Sequence, residues 1–188
     1  STKDTLETAR QALLVYQKKR GRLPCPADPT LLPTDANYGK EADGGGAGCT
    51  PVCPAGLTCV GEAVMGMIPF KEIKLNPEGA VDAWDRQITY AIDKDHTLDS
   101  HYQLGNIKVT DTSGEEITNS ITLGDAIFVL LSHGADSAGG YVKATGVRDA
   151  CTAGHADTGN CDDLDDQFID DRLNNNLDVP ANFFDDIV

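Results

Sequence analysis

Asp4-Thr5-Leu6-Glu7-Thr8-Ala9-Arg10-Gln11-Ala12-Leu13-Leu14-Val15-Tyr16-Gln17-Lys18-Lys19 is the stretch whose reading decides the fold. Leu6, Ala9, Leu13 and Tyr16 recur at spacings of three, four and three, which places them on one face of an α-helix. Leu14 and Val15 are expected to widen that stripe, while Lys3, Glu7, Arg10, Gln11, Lys18 and Lys19 supply a polar back. Asp4, followed three residues later by Glu7, reads as a capping box. Lys18, Lys19 and Arg20 suit the negative end of the helix dipole, Gly21 offers a left-handed cap, and Pro24 forbids continuation. A helix with one apolar face has to be covered on that face, so the remaining chain is searched for its cover.

The cover reads as a sheet. Residues 22–63 are expected to be loop-like, because Pro24, Pro26, Pro29, Pro33, Pro51, Pro54 and the Gly44-Gly45-Gly46 run oppose regular structure. Residues 64–74 form a short apolar segment that ends in a turn. Ile88, Tyr90 and Ile92 alternate with Gln87, Thr89 and Ala91, the period of a half-buried strand. Trp84, just before it, is placed at the edge of the core. Ile107–Thr110 reads as a second strand, and the apolar run Ala126–Leu131 as a fully buried one. Tyr141–Ala144, after the Gly139-Gly140 turn, is expected to pair back antiparallel. One long helix followed by short, locally connected strands is an α+β pattern, an N-terminal amphipathic helix packed on an antiparallel sheet. A single domain over 1–188 is expected, with helix 1–21, loop region 22–63, sheet region 64–150 and a final loop and acidic tail 151–188.

Fifteen Lys and Arg against thirty Asp and Glu leave a formal charge of −15. Such a surface repels phosphates, so nucleic acid is not an expected partner, nor is an anionic membrane face. No run of about 18 apolar residues is present to span a bilayer. The start at Ser1, without Met or signal peptide, is expected to reflect a processed or truncated N-terminus. In the tail, Asp162, Asp163, Asp165, Asp166, Asp170 and Asp171 accompany a thin stripe of Leu164, Phe168, Ile169 and Leu173. This reads as a short, solvated acidic helix ended by Asn174-Asn175-Asn176, without a D-x-D-x-D-G calcium loop.

Six cysteines stand at Cys25, Cys49, Cys53, Cys59, Cys151 and Cys161. Their even number within Gly- and Pro-rich segments suits disulfides in an oxidising compartment. Proximity favours Cys151 with Cys161 and two bridges among the first four. A Cys25–Cys59 closure is one such possibility, and it would staple most of the loop region. The rival reading is metal, held by Cys49, Cys53 and Cys59 or by Cys151, His155 and Cys161. Neither set has the paired C-x2-C knuckles of structural zinc sites.

Catalysis finds little support. Ser132, His133 and Asp136 invite a triad, but adjacent residues in an extended chain point to opposite faces, and no G-x-S-x-G elbow surrounds Ser132. His96, His101, His133 and His155 lack metal-ligand spacing, and the glycine runs lack a P-loop lysine. A hydrolase using His133 or an acidic pair is the least favoured reading, and the chain is expected not to be an enzyme.

Three segments, in this order, resemble the soluble regions of type IV pilins and type II secretion pseudopilins. The first is the helix leaving through Gly21-Arg22-Leu23-Pro24. The second is Asp82-Ala83-Trp84-Asp85-Arg86-Gln87-Ile88-Thr89-Tyr90, similar to the D-x-W-G-x-x-x-x-Y segment of pseudopilins. The third is Ser132-His133-Gly134-Ala135-Asp136-Ser137-Ala138-Gly139-Gly140, similar to their S-x-G-A-D-G-x-x-G-G stretch. Asp85 and Ser137 stand where that pattern has glycine. The resemblance implies a pilin-like fold in which residues 1–21 are the second half of a long helix. Its apolar first half would be the only membrane contact. It further implies a filament of pilin or pseudopilin subunits, a periplasmic or cell-surface location with inner-membrane anchoring before assembly, and Asp136 as a calcium ligand. The alternative is a secreted or periplasmic disulfide-rich binding module with an adhesion or receptor role, recognising its partner through residues 22–63.

Overall fold

Helix α1 runs from Thr2 to Arg20 in a computed structural model that describes residues 1–42, 48–49, 52–98, 104–118, 125–151, 158–161, 165, 167–170 and 186–187. The helix begins earlier than its apolar spacing indicates. Ser1 is the N-cap: its Oγ accepts from the Asp4 N–H at 3.4 Å, and the Asp4 carboxylate accepts from the Ser1 amine at 3.1 Å. The capping box is therefore Ser1 with Asp4, not Asp4 with Glu7, which instead takes both Arg10 nitrogens at 2.8 and 2.7 Å. Gly21 closes the helix with φ 72°, its N–H donating to the Gln17 carbonyl at 2.8 Å. Leu6, Ala9, Leu13 and Tyr16 are buried as expected. Leu14 and Val15 do not widen the stripe: they are 37% and 51% exposed, turned from the surface that covers the other four.

That surface is an antiparallel sheet of β1 (Thr58–Val60), β2 (Ala63–Met67), β3 (Thr89–Asp93) and β5 (Phe128–Ser132), edged by the two residues of β7 (Asp186–Ile187). The remaining strands, β4 (Lys108–Thr110) and β6 (Gln167–Ile169), form a separate parallel pair. β1 and β2 join through the two-residue turn Gly61-Glu62, with Gly61 at φ 56°. Regular structure thus enters the loop region, and the apolar segment after it is a strand.

β3 is buried on both faces rather than one. Tyr90 and Ile92 pack with Val64, Leu130 and the α1 stripe. Ala91 packs with Met65, Val129 and Leu131 beneath Ile107, Val109 and Phe168. The second layer comes from β4 and β6, about 60 positions apart in sequence, a pairing that local periodicity does not signal. Three further expectations change. Ala126 lies outside β5 and bridges Ile107. Val142 bridges Arg86, and Tyr141 bridges Arg148, so this segment is not a partner for β5. Gln167–Ile169 is strand, not helix, with Phe168 buried between exposed Gln167 and half-buried Ile169. Leu164, Leu173 and Asn174–Asn176 lie outside the described residues. Trp84 sits at the rim, 40% exposed, as its position suggested.

All six cysteines are bridged: Cys25–Cys49, Cys53–Cys59 and Cys151–Cys161, with Cα separations of 5.7, 6.0 and 5.8 Å. Neither sulfur-metal alternative survives, and the Cys25–Cys59 closure is not made. Between the staples, Arg22 forks onto Glu41 at 2.9 and 2.8 Å, and Glu41 also accepts from the Cys25 N–H. Three disulfides fit an oxidising, extracytoplasmic compartment. Among the described residues no helix is long and apolar enough to cross a membrane.

The α1 contact has a direct test. Leu13→Ala, at a fully buried position, is expected to cost about 2–5 kcal/mol in urea unfolding. Val15→Ala should stay within about 0.5 kcal/mol. Equal losses at the two positions would mean that α1 is not docked through the Leu6–Tyr16 stripe.

Candidate functional site

The segments that carry the family resemblance meet in space, and each meeting is a hydrogen bond made by at least one side chain. Asp82 is nearly buried at the start of a tight loop that returns at Arg86, where the Asp82 N–H donates to the Arg86 carbonyl at 2.9 Å. Its Oδ1 accepts from the Trp84 and Arg86 N–H groups, both at 2.9 Å, and its Oδ2 accepts from Ser132 Oγ at 2.8 Å. The second segment is thereby fastened to the third. Next to Asp82, the Ala83 N–H donates to Thr2 Oγ1 at 3.2 Å, which ties the loop to the first turn of α1. At the other end of the segment, the fully buried Tyr90 hydroxyl donates to the Pro24 carbonyl at 3.1 Å. That bond fastens β3 to the helix exit.

Burial holds the Tyr90 hydroxyl well above its ordinary pKa, so it remains a donor across the ordinary pH range. Pro24 is fastened on both sides: before it the Leu23 N–H donates to the His96 carbonyl, and after it Ala27 bridges both Glu41 and Met67.

The backbone at the two departures from the family pattern is informative. Asp85 has φ 63° and Ser137 has φ 59°, the left-handed region that glycine occupies without strain. Both residues occupy turns built for glycine. Within the third segment Gly139 is also left-handed, at φ 78°, and a Cβ there would meet Cys161. The loop consequently rests against the Cys151–Cys161 bridge.

Ser132 and His133 point to opposite sides of β5. Ser132 Oγ engages Asp82 on the α1 side, while His133 Nε2 lies 3.0 Å from Thr89 Oγ1 on the other. The two adjacent side chains are thus turned to opposite sides, as expected of neighbours in an extended chain. Asp136 Oδ1 accepts from the Ala138 N–H at 3.1 Å, which shapes the loop as an Asx turn. Asp136 belongs to no group of three candidate ligands among the described residues. The group that the fold does assemble there is Glu62, Asp93 and Asp95, whose oxygens lie within 4.8 Å of one another. Lys94 sits among them, its Nζ 3.0 Å from Glu62, and Asn106 donates to Asp93 at 2.7 Å. The cluster thus already holds a cation and a donor of its own. His101 and His155 lie outside the described residues.

Comparison with protein-family models, characterised proteins and solved structures finds no match to this chain.

Two predictions come from this geometry. Ser137→Gly should raise stability in urea unfolding by up to about 1 kcal/mol, since it removes a left-handed Cβ from a turn. Asp85→Gly should gain less, because aspartate tolerates this region better. A loss at both positions would show that the side chains matter more than the backbone. The second concerns Asp93. Burial opposes its charge, yet donors from His96, the Asp95 N–H and Asn106 outweigh it and hold the carboxyl below its ordinary value of 3.8. A lowered folded pKa contributes stability that is complete above the ordinary value of 3.8 and is lost as pH falls below it, through the lower folded value. Asp93→Asn should therefore flatten the acid limb of the stability profile below pH 3.8. An unchanged acid limb would assign the loss to other carboxylates.

Proposed function

We propose that this chain is the globular part of a filament subunit, a type IV pilin or a type II secretion pseudopilin. The observation that carries the reading is the left-handed backbone at Asp85 and Ser137, the two positions where the family pattern places glycine and this sequence does not. A chance match of letters gives no reason for the backbone to agree at its mismatches. The joints add support, because the residues of the resemblance make the contacts Tyr90–Pro24 and Ser132–Asp82 that unite helix, loop and sheet.

In this reading α1 is the second half of a long helix. Its preceding apolar half anchors the subunit in the inner membrane and later packs in the filament interior. The sheet and stapled loops then face outward, in the periplasm or at the cell surface. The partners are other pilin or pseudopilin subunits. Catalysis has no part in this role, and Ser132 and His133 serve as structural residues.

One observation favours a second reading, a disulfide-rich binding module. A concavity of about 380 Å³ lies in the stapled region, lined by Cys49, Cys53, Cys59, Gly61, Ala63, Val64, Lys94 and Asp95. A small ligand or loop would fit there.

The gene upstream of Ser1 separates the two. The filament reading expects a short basic leader and then about 20 apolar residues in phase with the Leu6 stripe. The precursor, expressed with an assembly machinery, should yield filaments labelled by antibody to the globular part. A secretory signal peptide abutting Ser1, with a freely secreted monomer, would overturn that reading in favour of the binding module.

A further inference from the structure

The three disulfides differ in what can reach them. Cys25 and Cys49 are 0% and 3% exposed, and the Cys49 N–H donates to Thr97 Oγ1 at 3.0 Å. Cys161 is buried as well, with Gly139 so close that a Cβ there would meet it. Only in the Cys53–Cys59 bridge are both residues exposed. Both also line the concavity of about 380 Å³, between the apolar Ala63 and Val64 and the charged Lys94 and Asp95. Lys94 is paired with Glu62 at 3.0 Å, and Glu62, Asp93 and Asp95 bring their oxygens within 4.8 Å of one another. Three carboxylates against one ammonium leave that wall negative, in a chain whose formal charge is −15. The bridge spans six positions, the shortest of the three, so it constrains the unfolded chain least. Its surroundings are fastened independently of it. Cys59 pairs with Val64 in the β1–β2 ladder, Leu57 packs against the core, and Gly56 lies against Asp28.

We propose that Cys53–Cys59 is an exchange site for small amine-bearing thiols, which enter the concavity and are captured there as a mixed disulfide. Exchange requires a thiolate to reach a disulfide sulfur, and this is the bridge with both residues open to solvent and with room beside it. Cys53 is the sulfur attacked, because it lies outside any strand and follows Val52, which is 77% exposed, whereas Cys59 is held within β1. The incoming thiolate bonds to Cys53 Sγ, the Cys53–Cys59 bond breaks, and Cys59 leaves as a thiolate that takes a proton from water. A second thiol then displaces the first as its own disulfide and leaves Cys53 and Cys59 as thiols, so the thiol is the only reductant needed. Charge selects among thiols. An ammonium group is drawn towards Asp95 and its neighbours, while a carboxylate meets a negative wall. The inference rests on the bridge and its concavity, and it holds for a filament subunit and a binding module alike.

The test uses the folded chain without denaturant. It is incubated at low ionic strength with cysteamine or with thioglycolate, quenched with acid, alkylated and mapped by mass. The first adduct is expected on Cys53, with Cys25–Cys49 opening at least roughly tenfold more slowly. Per thiolate, cysteamine should react roughly tenfold faster than thioglycolate, and high salt should narrow that ratio. Asp95→Asn should lower the ratio roughly threefold, because it removes one charge from the wall. Asp35→Asn makes the same change in net charge at an exposed site outside the concavity and should leave the ratio nearly unchanged. Cys53→Ser with Cys59→Ser should abolish the early adduct and keep a cooperative urea transition. First adducts at either other bridge, equal rates for the two thiols, or equal effects of the two aspartate variants would each overturn the proposal. Loss of the fold in the double serine variant would do so too, since the bridge could then not open in a folded chain.

Discussion

The apolar stripe of α1 is the constraint on which the structure depends. Leu6, Ala9 and Leu13 are completely covered, and a nineteen-residue helix with that stripe exposed would be marginal in water. Only a broad apolar surface covers a stripe of this length. The sheet supplies it through alternate residues of three strands, Val64, Tyr90, Ile92 and Leu130. Alternation then sets the next requirement. Whatever β3 turns towards the helix leaves Ala91 on its far side, with Met65, Val129 and Leu131 around it. Those residues would form an exposed apolar patch without the β4–β6 pair above them. Two layers on one sheet therefore follow from one amphipathic helix and a central strand apolar on both sides.

Sequence legibility follows the range of the interaction concerned. The helix was readable because its spacing, basic last turn and Gly21 are all local. Its start lies two residues before the one that the apolar spacing indicates, because Ser1 and Asp4 form a capping box whose acid is aspartate, while Asp4 and Glu7 offer a competing one. The period of β3 reads as half-buried, since the alternation sets Thr89 and Ala91 apart from Tyr90 and Ile92 and a remote layer covers the second face. The tail shows the same limit. Leu164, Phe168 and Ile169 fit a helical stripe on paper, but parallel pairing of Phe168 with Val109 overrides it. In the loop region proline density concealed β1, whose hairpin depends only on Gly61 and Glu62. The disulfides were legible as disulfides. Their partners were legible only for Cys151 and Cys161, where ten residues separate the pair.

At the candidate site, the resemblance draws attention to three segments and leaves their contacts unstated. Nothing in spacing says that Ser132 meets Asp82, fifty residues away, or that Tyr90 reaches Pro24. These bonds have a common form: a buried side chain satisfies a backbone or carboxylate group that would otherwise lie unpaired under the helix. Asp82 shows why substitution there is restrictive. Its one carboxylate answers two backbone N–H groups of a part-buried loop and a buried hydroxyl, so a side chain without an acceptor there gives up three hydrogen bonds at once. A serine so committed to its neighbour's carboxylate has its proton already assigned, and the adjacent histidine is occupied across the sheet.

The charge distribution has both local and assembly-level causes, and they divide by residue. Lys18, Lys19 and Arg20 are accounted for within the subunit, because cations at a helix C-terminus are stabilised by its dipole and Arg20 also lies over the Tyr16 ring at 6.0 Å. Lys74 is not accounted for in that way. It belongs to the loop after Phe70, it lies beside the groove, and its left-handed backbone opposes a lysine at that position. Glycine would remove the strain and the charge together. A residue that adds strain and contributes a cation beside an apolar floor makes sense where the cation is used by something outside the fold. In the sequence, the six aspartates between 162 and 171 add to the self-repulsion of a chain already at −15.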